Sequence, residues 1–465
     1  MKKIKFTIFL LFIWSRAFAD FIPFDLEQRI STLPLNKNSY SIEVRPVGSP
    51  TSLVNWRTHT KRVPASVIKV LTTYSALLSL GYDYRWETKF YHTGKISKGT
   101  LKGDFIVKAS GDPSLESEDL NDIIDQLRSL GIRRITGNIV IDRTLFKVSS
   151  RNNSGFDKNR YSPYNAMPDA MMFNERTSSV CVSFKGRKAK ISKKSPDMSY
   201  KVVNKLRLVN GSCRGKRAWP RVTVSKKSMI FSGKVSRRCG NRTICKVLTK
   251  PHLSFYYALK DKMKKNGVKF RGKLKLRRTP KNSKYLYSHY SKRLEEIIST
   301  VAKKSNNLYA RQIMLTLGAK VYGKPATLTK GRNAIERILN RYGILEKGKT
   351  FIENGSGLSR ISKITAHSLS NLLNHAMQHY GQRWAETLSI AGIDGTIKRR
   401  FSQSSVFGRA WMKTGTIKNV ANISGYVDGA SGQRYVVVVL VNNKFSAKYG
   451  RTLANKVIEW VVETQ

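Results

Sequence analysis

The chain has 465 residues, enough for two or three domains, and 40% of them are hydrophobic, which suffices for a sizeable core. Its charge is unusual, because 86 Lys and Arg residues against 29 Asp and Glu residues give a formal net charge of +57. Such an excess predicts attraction to polyanions, and no stretch after the N-terminus has the length of a membrane span.

The N-terminus has the pattern of a secretory signal peptide over residues 1–19. "MKKIK" is basic, "FTIFLLFIW" is apolar, and Ala17-Phe18-Ala19 fits an A-x-A cleavage site. A membrane anchor is disfavoured, since a span needs about 20 apolar residues. We therefore expect cleavage after Ala19 and a periplasmic protein without a transmembrane anchor. An exported protein has no routine nucleic-acid partner, so the anionic cell-wall surface is the expected polyanion.

The predicted elements fall into three zones along the chain. Residues 20–90 hold a strand, "SYSIEVRPV", and a helix over residues 63–81; residues 91–285 read mostly as strands between Gly-containing turns. From 286 to 465 helical periodicity returns and gives way to strands and a closing helix. The order predicts one α/β domain, in two parts, interrupted by a β-rich insertion.

The insertion carries the cysteines and much of the basic charge. Its basic part, about residues 165–250, contains four cysteines: Cys181, Cys213, Cys239 and Cys245. An even number in an exported chain suggests two disulfides, with three possible connectivities, and free structural thiols are the alternative. We predict the pairs Cys181–Cys213 and Cys239–Cys245. The spacings lack paired C-x-x-C units, and we expect neither metal nor cofactor.

One lysine lies among aliphatic residues near the start of the predicted helix. Residues i and i+3 share a helix face, so Ser66-x-x-Lys69 brings an amine to a hydroxyl. A desolvated amine has a lowered pKa, and a neutral lysine can take the serine proton and so activate the nucleophile. Alone the pattern is weak, because Lys is abundant here and lysines that extend from a core towards solvent are common.

Two further triplets complete a set. Ser305-Asn306-Asn307 lies between two predicted helices, where Ser and Asn are also ordinary helix caps. Lys413-Thr414-Gly415 opens a strand and offers a cation, a hydroxyl and a glycine with no side chain to obstruct a substrate, although a plain strand start with a bulge fits too. In this order the three are the S-x-x-K, S-x-N and K-T-G motifs of penicillin-recognising enzymes.

The sequence resembles the D-alanyl-D-alanine carboxypeptidase/endopeptidase family, the class C low-molecular-mass penicillin-binding proteins. "GDPSL" (111–115), "GNIVID" (137–142), "NGSGLSR" (354–360) and "AGIDGTI" (391–397) are similar to family signatures. The 239 residues (305 − 66) between Ser66 and Ser305 also fit the family's insertion. Two positions depart from its pattern: Asn306 and Asn354 stand where Asp is usual, which leaves the role of Asn354 open.

The resemblance implies a transpeptidase-like fold, with an antiparallel sheet flanked by helices and an insertion of one or two subdomains. It implies a penicillin-sensitive hydrolase that removes terminal D-alanine from peptidoglycan stem peptides, or cuts D-Ala cross-links. Ser66 would be acylated, Lys69 would be its base, Ser305 would relay the proton and Asn307 would hold the substrate carbonyl.

The remaining implied roles concern substrate binding. Lys413 and Thr414 would bind the D-alanine carboxylate, beside Gly415, and the N–H groups of Ser66 and Thr416 would form the oxyanion hole. Two alternatives stay open: a β-lactamase, disfavoured by the size of the insertion and the absence of a recognisable deacylating acid, and a non-catalytic polyanion-binding envelope protein.

Overall fold

A computed structural model describes residues 20–149, 153–184, 188–193 and 198–465. The predicted signal peptide, residues 1–19, lies outside this range. Within it, every helix is too short or too polar to span a bilayer. The helices are α1 (Phe24–Ser31), α2 (Lys69–Leu80), α3 (Leu120–Ser129), α4 (Pro251–Lys265), α5 (Leu294–Lys303), α6 (Asn307–Tyr322), α7 (Leu328–Asn340), α8 (Ala366–Ala385) and α9 (Arg451–Thr464).

The strands of the described residues form five separate sheets. In chain order they are β1 (Tyr40–Pro46), β2 (Val54–Trp56), β3 (Glu87–His92), β4 (Lys95–Ser97), β5 (Thr100–Lys102), β6 (Phe105–Lys108), β7 (Arg134–Ile135), β8 (Ile139–Asp142), β9 (Ser178–Ser183), β10 (Lys190–Lys193), β11 (Lys201–Val209), β12 (Arg221–Val224), β13 (Ser228–Ser236), β14 (Arg242–Lys246), β15 (Lys269–Phe270), β16 (Leu274–Leu276), β17 (Lys284–Tyr290), β18 (Ser389–Ile390), β19 (Ala410–Ile417), β20 (Val420–Asp428) and β21 (Arg434–Asn442).

The α/β domain, in which the catalytic residues are expected, is built on a six-stranded antiparallel sheet in the order β18-β19-β20-β21-β1-β2. Successive strand residues point to opposite faces, and the valine-rich β21 therefore supplies both sides. Val436, Val438 and Leu440 pack into the core shared with α2 and α5–α8, whereas the alternate valines join α1 and α9 on the other face. The predicted antiparallel sheet flanked by helices is confirmed, and the uninterrupted valine run reflects burial on both sides.

Helix α6 is buried almost throughout its first three turns. Residues 308–318 are all buried, because one side packs in the catalytic core and the other contributes Leu315 to the core of the insertion. Helix α6 begins at Asn307, two residues after Ser305. Both domains therefore hold the chain next to Ser305.

The insertion begins and ends in one sheet. Strands β3 and β17 pair with each other in the five-stranded sheet β16-β8-β6-β3-β17, which packs with α3 and α4 around one apolar core. These two strands span the predicted boundaries at 90/91 and 285/286. We therefore propose that the domain junctions lie beside them, near Trp86 and Ser291.

The disulfide pairing predicted from the sequence is wrong. The bond joins Cys213 to Cys239, and Cys181 and Cys245 are free thiols. Strands β11 and β13 run parallel with Val209 opposite Ser236, so the chain segments that follow them emerge at the same edge of their sheet. Cys181 and Cys245 lie on β9 and β14 of a different sheet.

Candidate active site

The turn before α2 brings Ser66 and Lys69 together. Residues Ala65–Ile68 form a 3-10 turn, in which side chains at i and i+3 eclipse one another, and α2 begins at Lys69. Lys69 Nζ lies 2.8 Å from Ser66 Oγ. Ala65 has a φ of 47°, a left-handed conformation that is rare outside glycine and is typical of strained functional turns.

Lys69 has three hydrogen-bonding partners and almost no access to solvent. Its Nζ donates to Asn307 Oδ1 at 2.7 Å and to the Ser356 carbonyl, and it meets Ser66 Oγ as the third partner. A neutral amine has two N–H bonds and one lone pair. Since an amide oxygen and a carbonyl can only accept, they take the two N–H bonds, and the lone pair then faces the Ser66 hydroxyl.

Burial also favours the neutral form of Lys69. The side chain is 1% exposed, and desolvation, with smaller effects from the charges of Lys413 and Arg311, holds its pKa well below the ordinary value. The shift is towards the form that can accept a proton, as a general base for Ser66 must.

The "NGSGLSR" loop supplies the carbonyl of Ser356, and Asn354 fixes that loop. Asn354 Oδ1 accepts from Ser356 N at 3.1 Å and from Ser356 Oγ at 2.8 Å, while its Nδ2 donates to the Leu358 carbonyl at 3.0 Å. An aspartate could make the first two bonds but could not donate the third. Asn354 thus positions the loop that holds Lys69.

The second triplet lies on the short connection between α5 and α6. Ser305 has a φ of 53° and its Oγ accepts from Lys413 Nζ at 3.0 Å. Asn306 caps α6, accepting from the backbone N–H groups of Leu308 and Tyr309 at 3.0 and 3.1 Å. An amide oxygen caps a helix as well as the usual Asp does, so the departure at Asn306 preserves the local geometry.

Lys413 lies in the middle of β19, where the pairing with β18 ends. Strand β18 pairs only with Trp411 and Met412, which leaves the edge of β19 uncovered from Lys413 onward. Lys413 Nζ donates to Ser305 Oγ and to the Thr414 carbonyl at 2.8 Å, and burial lowers its pKa to about 7. A carboxylate placed here would stabilise the charged form and meet two donors, Lys413 and Thr414.

Gly415 is required by close packing. A Cβ at this position would lie 2.7 Å from the Pro64 carbonyl oxygen, 2.9 Å from Val67 N and 3.0 Å from Ser66 N. The sequence suggested that this glycine clears space for a substrate. The structure gives it another task, because β19 rests directly on the turn that carries Ser66.

Three further polar residues hold the site in place: Asn422 and Arg311 lie outside the sequence motifs, and Thr396 lies within "AGIDGTI" (391–397) but was given no role. Asn422 Nδ2 donates to the carbonyls of Val63 and Pro64 at 2.9 and 2.8 Å, tying β20 to the Ser66 turn. Thr396 Oγ1 accepts from Thr414 Oγ1 at 2.8 Å. The buried Arg311 lies one turn along α6 from Asn307 and donates to the Ala166 carbonyl. A polar residue inside an apolar run is the sequence signal that could have identified Arg311 and Asn422.

A cavity of about 540 Å³ opens at Ser66. Its lining combines residues of all three motif regions with a basic wall: Ser66, Ser305, Thr396, Arg399, Arg400, Thr414, Thr416, Ala421, Asn422, Gly450, Arg451, Ala454 and Asn455. No carboxylate is among these lining residues, all of which lie in the described part of the chain.

The sheet is antiparallel and flanked by helices, a buried lysine lies beside a serine at the start of one helix, and a K-T-G strand runs alongside. Together these features define the class of penicillin-recognising serine hydrolases. The chain belongs to the D-Ala-D-Ala carboxypeptidase 3 (S13) family, which matches residues 24–464. The family and the serine-type carboxypeptidase activity predicted from the sequence are thereby confirmed.

Individual relatives agree with this assignment. D-alanyl-D-alanine carboxypeptidase DacB of Haemophilus influenzae is 25% identical over 84% of this chain and 82% of its own length. The D-alanyl-D-alanine carboxypeptidase of Actinomadura sp. strain R39 is 25% identical over 83% and 74%. The crystal structure of penicillin-binding protein 4 (dacB) from Haemophilus influenzae matches with a TM-score of 0.78 and 25% identity, covering 94% of this chain and 99% of that one.

Proposed function

We propose that this protein hydrolyses the terminal D-Ala-D-Ala bond of peptidoglycan stem peptides through an acyl-enzyme on Ser66, and that β-lactams inhibit it by acylating the same hydroxyl. The observation that carries the proposal is the arrangement around Lys69. Its Nζ contacts Ser66 Oγ, Asn307 Oδ1 and the Ser356 carbonyl; in the neutral amine the last two take the N–H bonds, which leaves the lone pair for the Ser66 proton.

Acylation would proceed in two proton transfers. Lys69 takes the proton of Ser66 as Oγ attacks the carbonyl carbon of the penultimate D-alanine, and the N–H groups of Ser66 and Thr416 stabilise the resulting oxyanion. Ser305 then passes a proton to the leaving amine, and the C–N bond breaks. Lys413 and Thr414 hold the carboxylate of the departing D-alanine throughout.

Replacement of the nucleophile tests this assignment directly. Ser66→Ala should abolish covalent labelling by a fluorescent penicillin and leave the melting temperature unchanged, because only one hydroxyl is lost. Ser79→Ala, in the last turn of α2, is the matched control and should label like the parent. Equal labelling of the Ser66 variant and the parent would refute the assignment.

The fate of the adduct distinguishes a carboxypeptidase from a β-lactamase. After D-alanine departs, water can reach the ester, but an opened penicillin stays tethered and crowds the approach. A class A β-lactamase uses a glutamate to activate that water, and no carboxylate lines the cavity at Ser66 among the described residues. We expect a penicilloyl adduct that persists for minutes by intact-protein mass spectrometry. Clearance within seconds, with catalytic release of penicilloate, would favour a β-lactamase.

We also propose that the protein works in the periplasm, exported by residues 1–19 and retained on the anionic cell wall by its basic insertion. A cavity of about 1340 Å³ in the insertion supports retention, since it collects five basic side chains: Lys158, Arg160, Lys226, Lys227 and Lys250. Binding to isolated sacculi should weaken steeply with salt, because exposed charges are screened beyond about 8 Å at physiological ionic strength. Salt-independent binding would contradict an electrostatic mechanism.

A further inference from the structure

The cavity at Ser66 extends well past the residues assigned to D-alanine. Thr414 Oγ1 donates to Thr396 Oγ1, and the same lining includes a basic wall of Arg399, Arg400 and Arg451. Because Lys413 and Thr414 take the carboxylate of the departing residue, this wall lies on the leaving-group side of Ser66. It is therefore positioned to contact whatever departs with, or in place of, D-alanine.

One of the three arginines is structural. Arg400 Nε donates to Asn455 Oδ1 at 2.5 Å and its Nη2 to the Arg451 carbonyl at 3.0 Å, which pins it against α9. Burial, with a smaller effect from the charge of Arg451, lowers its pKa to about 10. Arg400 thus forms a fixed wall and has little freedom to reach a ligand.

Arg399 and Arg451 differ from Arg400 in their exposure and in their lack of side-chain hydrogen bonds among the described residues. Both are exposed, and within the described residues their side chains make neither an ion pair nor a hydrogen bond. No acid among the cavity-lining residues neutralises them. Two free guanidinium groups at one end of a cleft favour a ligand with more than one carboxylate.

The size of the cleft leads to the same conclusion. A volume of about 540 Å³ lies within the roughly 300–1,000 Å³ typical of pockets for drug-sized ligands. It far exceeds what free D-alanine fills, and D-alanine has a single carboxylate, which Lys413 and Thr414 already take. A second acidic stem peptide, attached through an amide to the D-alanine of the first, fits both the volume and the charge.

We propose that Arg399 and Arg451 form a subsite for the carboxylates of such a leaving peptide and set the preference for D-Ala cross-links over terminal D-alanine. The inference rests on the proposed acyl-enzyme mechanism. Ser66 Oγ bonds to the cross-link carbonyl, the amide C–N bond breaks, and the serine proton reaches the leaving nitrogen through Lys69 and Ser305. The second stem departs as a free amine, and water hydrolyses the ester and restores the Ser66 hydroxyl.

The test compares two purified substrates, a disaccharide-tetrapeptide dimer and a disaccharide-pentapeptide monomer. Arg399→Ala/Arg451→Ala should lower kcat/KM for the dimer about tenfold more than for the monomer, mainly through KM, since two charged contacts are lost. Arg399→Lys/Arg451→Lys should recover part of the loss. Lys398→Ala, which removes a neighbouring charge that does not line the cavity, is the matched control and should change neither activity.

A modified substrate removes the ambiguity of a misfolded variant. If the acceptor-stem carboxylates are amidated, except the one on the departing residue that Lys413 and Thr414 hold, the parent enzyme should lose the same factor and the double variant should be insensitive. Equal losses on dimer and monomer, or undiminished cleavage of the amidated dimer by the parent, would overturn the subsite. Penicillin labelling of Ser66, measured in the same samples, reports separately on the proposed function.

Discussion

Replacing Lys413 by methionine should stabilise the folded protein and abolish peptide turnover. The lysine is fully buried, and burial lowers its pKa from 10.5 to about 7. Between these two pH values the folded protein binds fewer protons than the unfolded chain. Stability therefore rises with pH across this window and declines as the pH falls from 10.5 towards 7.

The magnitude follows from the two pKa values. Each pH unit between them corresponds to about 1.4 kcal/mol, so the lysine destabilises the fold by about 4 kcal/mol at pH 7 relative to pH 10.5. Methionine removes this penalty but leaves Ser305 Oγ and the Thr414 carbonyl without a donor, at about 1 kcal/mol each. The net expectation is a gain of about 2 kcal/mol at pH 7.

Urea unfolding followed by tryptophan fluorescence at pH 7, 8 and 9 measures this gain. The advantage of Lys413→Met should be largest at pH 7 and shrink by about 1 kcal/mol per pH unit above it. Lys418→Met, at an exposed position in the turn after β19, is the control and should show no such pH trend. A variant that is less stable at pH 7, or an advantage independent of pH, would refute the reasoning.

Two further predictions concern packing and the disulfide. Gly415→Ala should slow penicillin acylation about a hundredfold and cost about 1–3 kcal/mol of stability, because its Cβ would displace the Ser66 turn; acylation kinetics at the parental rate would contradict this. Cys213→Ala/Cys239→Ala should make the insertion easier to proteolyse, since a cross-link over 26 residues contributes about 3 kcal/mol, and should leave the acylation rate of Ser66 unchanged. A parallel drop in acylation would show that the disulfide supports the active site.

The sequence predicted the catalytic domain well because its signals are local or periodic. The spacing of Ser66 and Lys69 determines their contact within one turn, and the uninterrupted apolar run of β21 reflects its two buried faces. The helices on either side of Ser305 were also predicted correctly, because their pattern is periodic. The extent to which Lys69 is desolvated, in contrast, depends on residues distant in the chain, such as Ser356 and Asn307.

The insertion was predicted less well, for a physical reason. Strands that follow one another closely are expected to pair as hairpins, and neighbouring cysteines then seem natural partners. Instead β11 runs parallel to β13, with β12 on the far side, so Cys213 and Cys239 leave the sheet side by side. Nothing in the local pattern specifies a parallel pairing over this distance.

The burial of α6 in two cores limits how this enzyme can be simplified. Arg311 and Gln312 bond to backbone carbonyls of the insertion at Ala166, Gly111 and Asp169. Excision of the insertion would remove the carbonyl partner of Arg311, one helical turn from Asn307, and would expose apolar residues of α6 such as Leu315. A compact version resembling a β-lactamase could not be made by deletion alone; it would need a new sequence for the exposed side of α6.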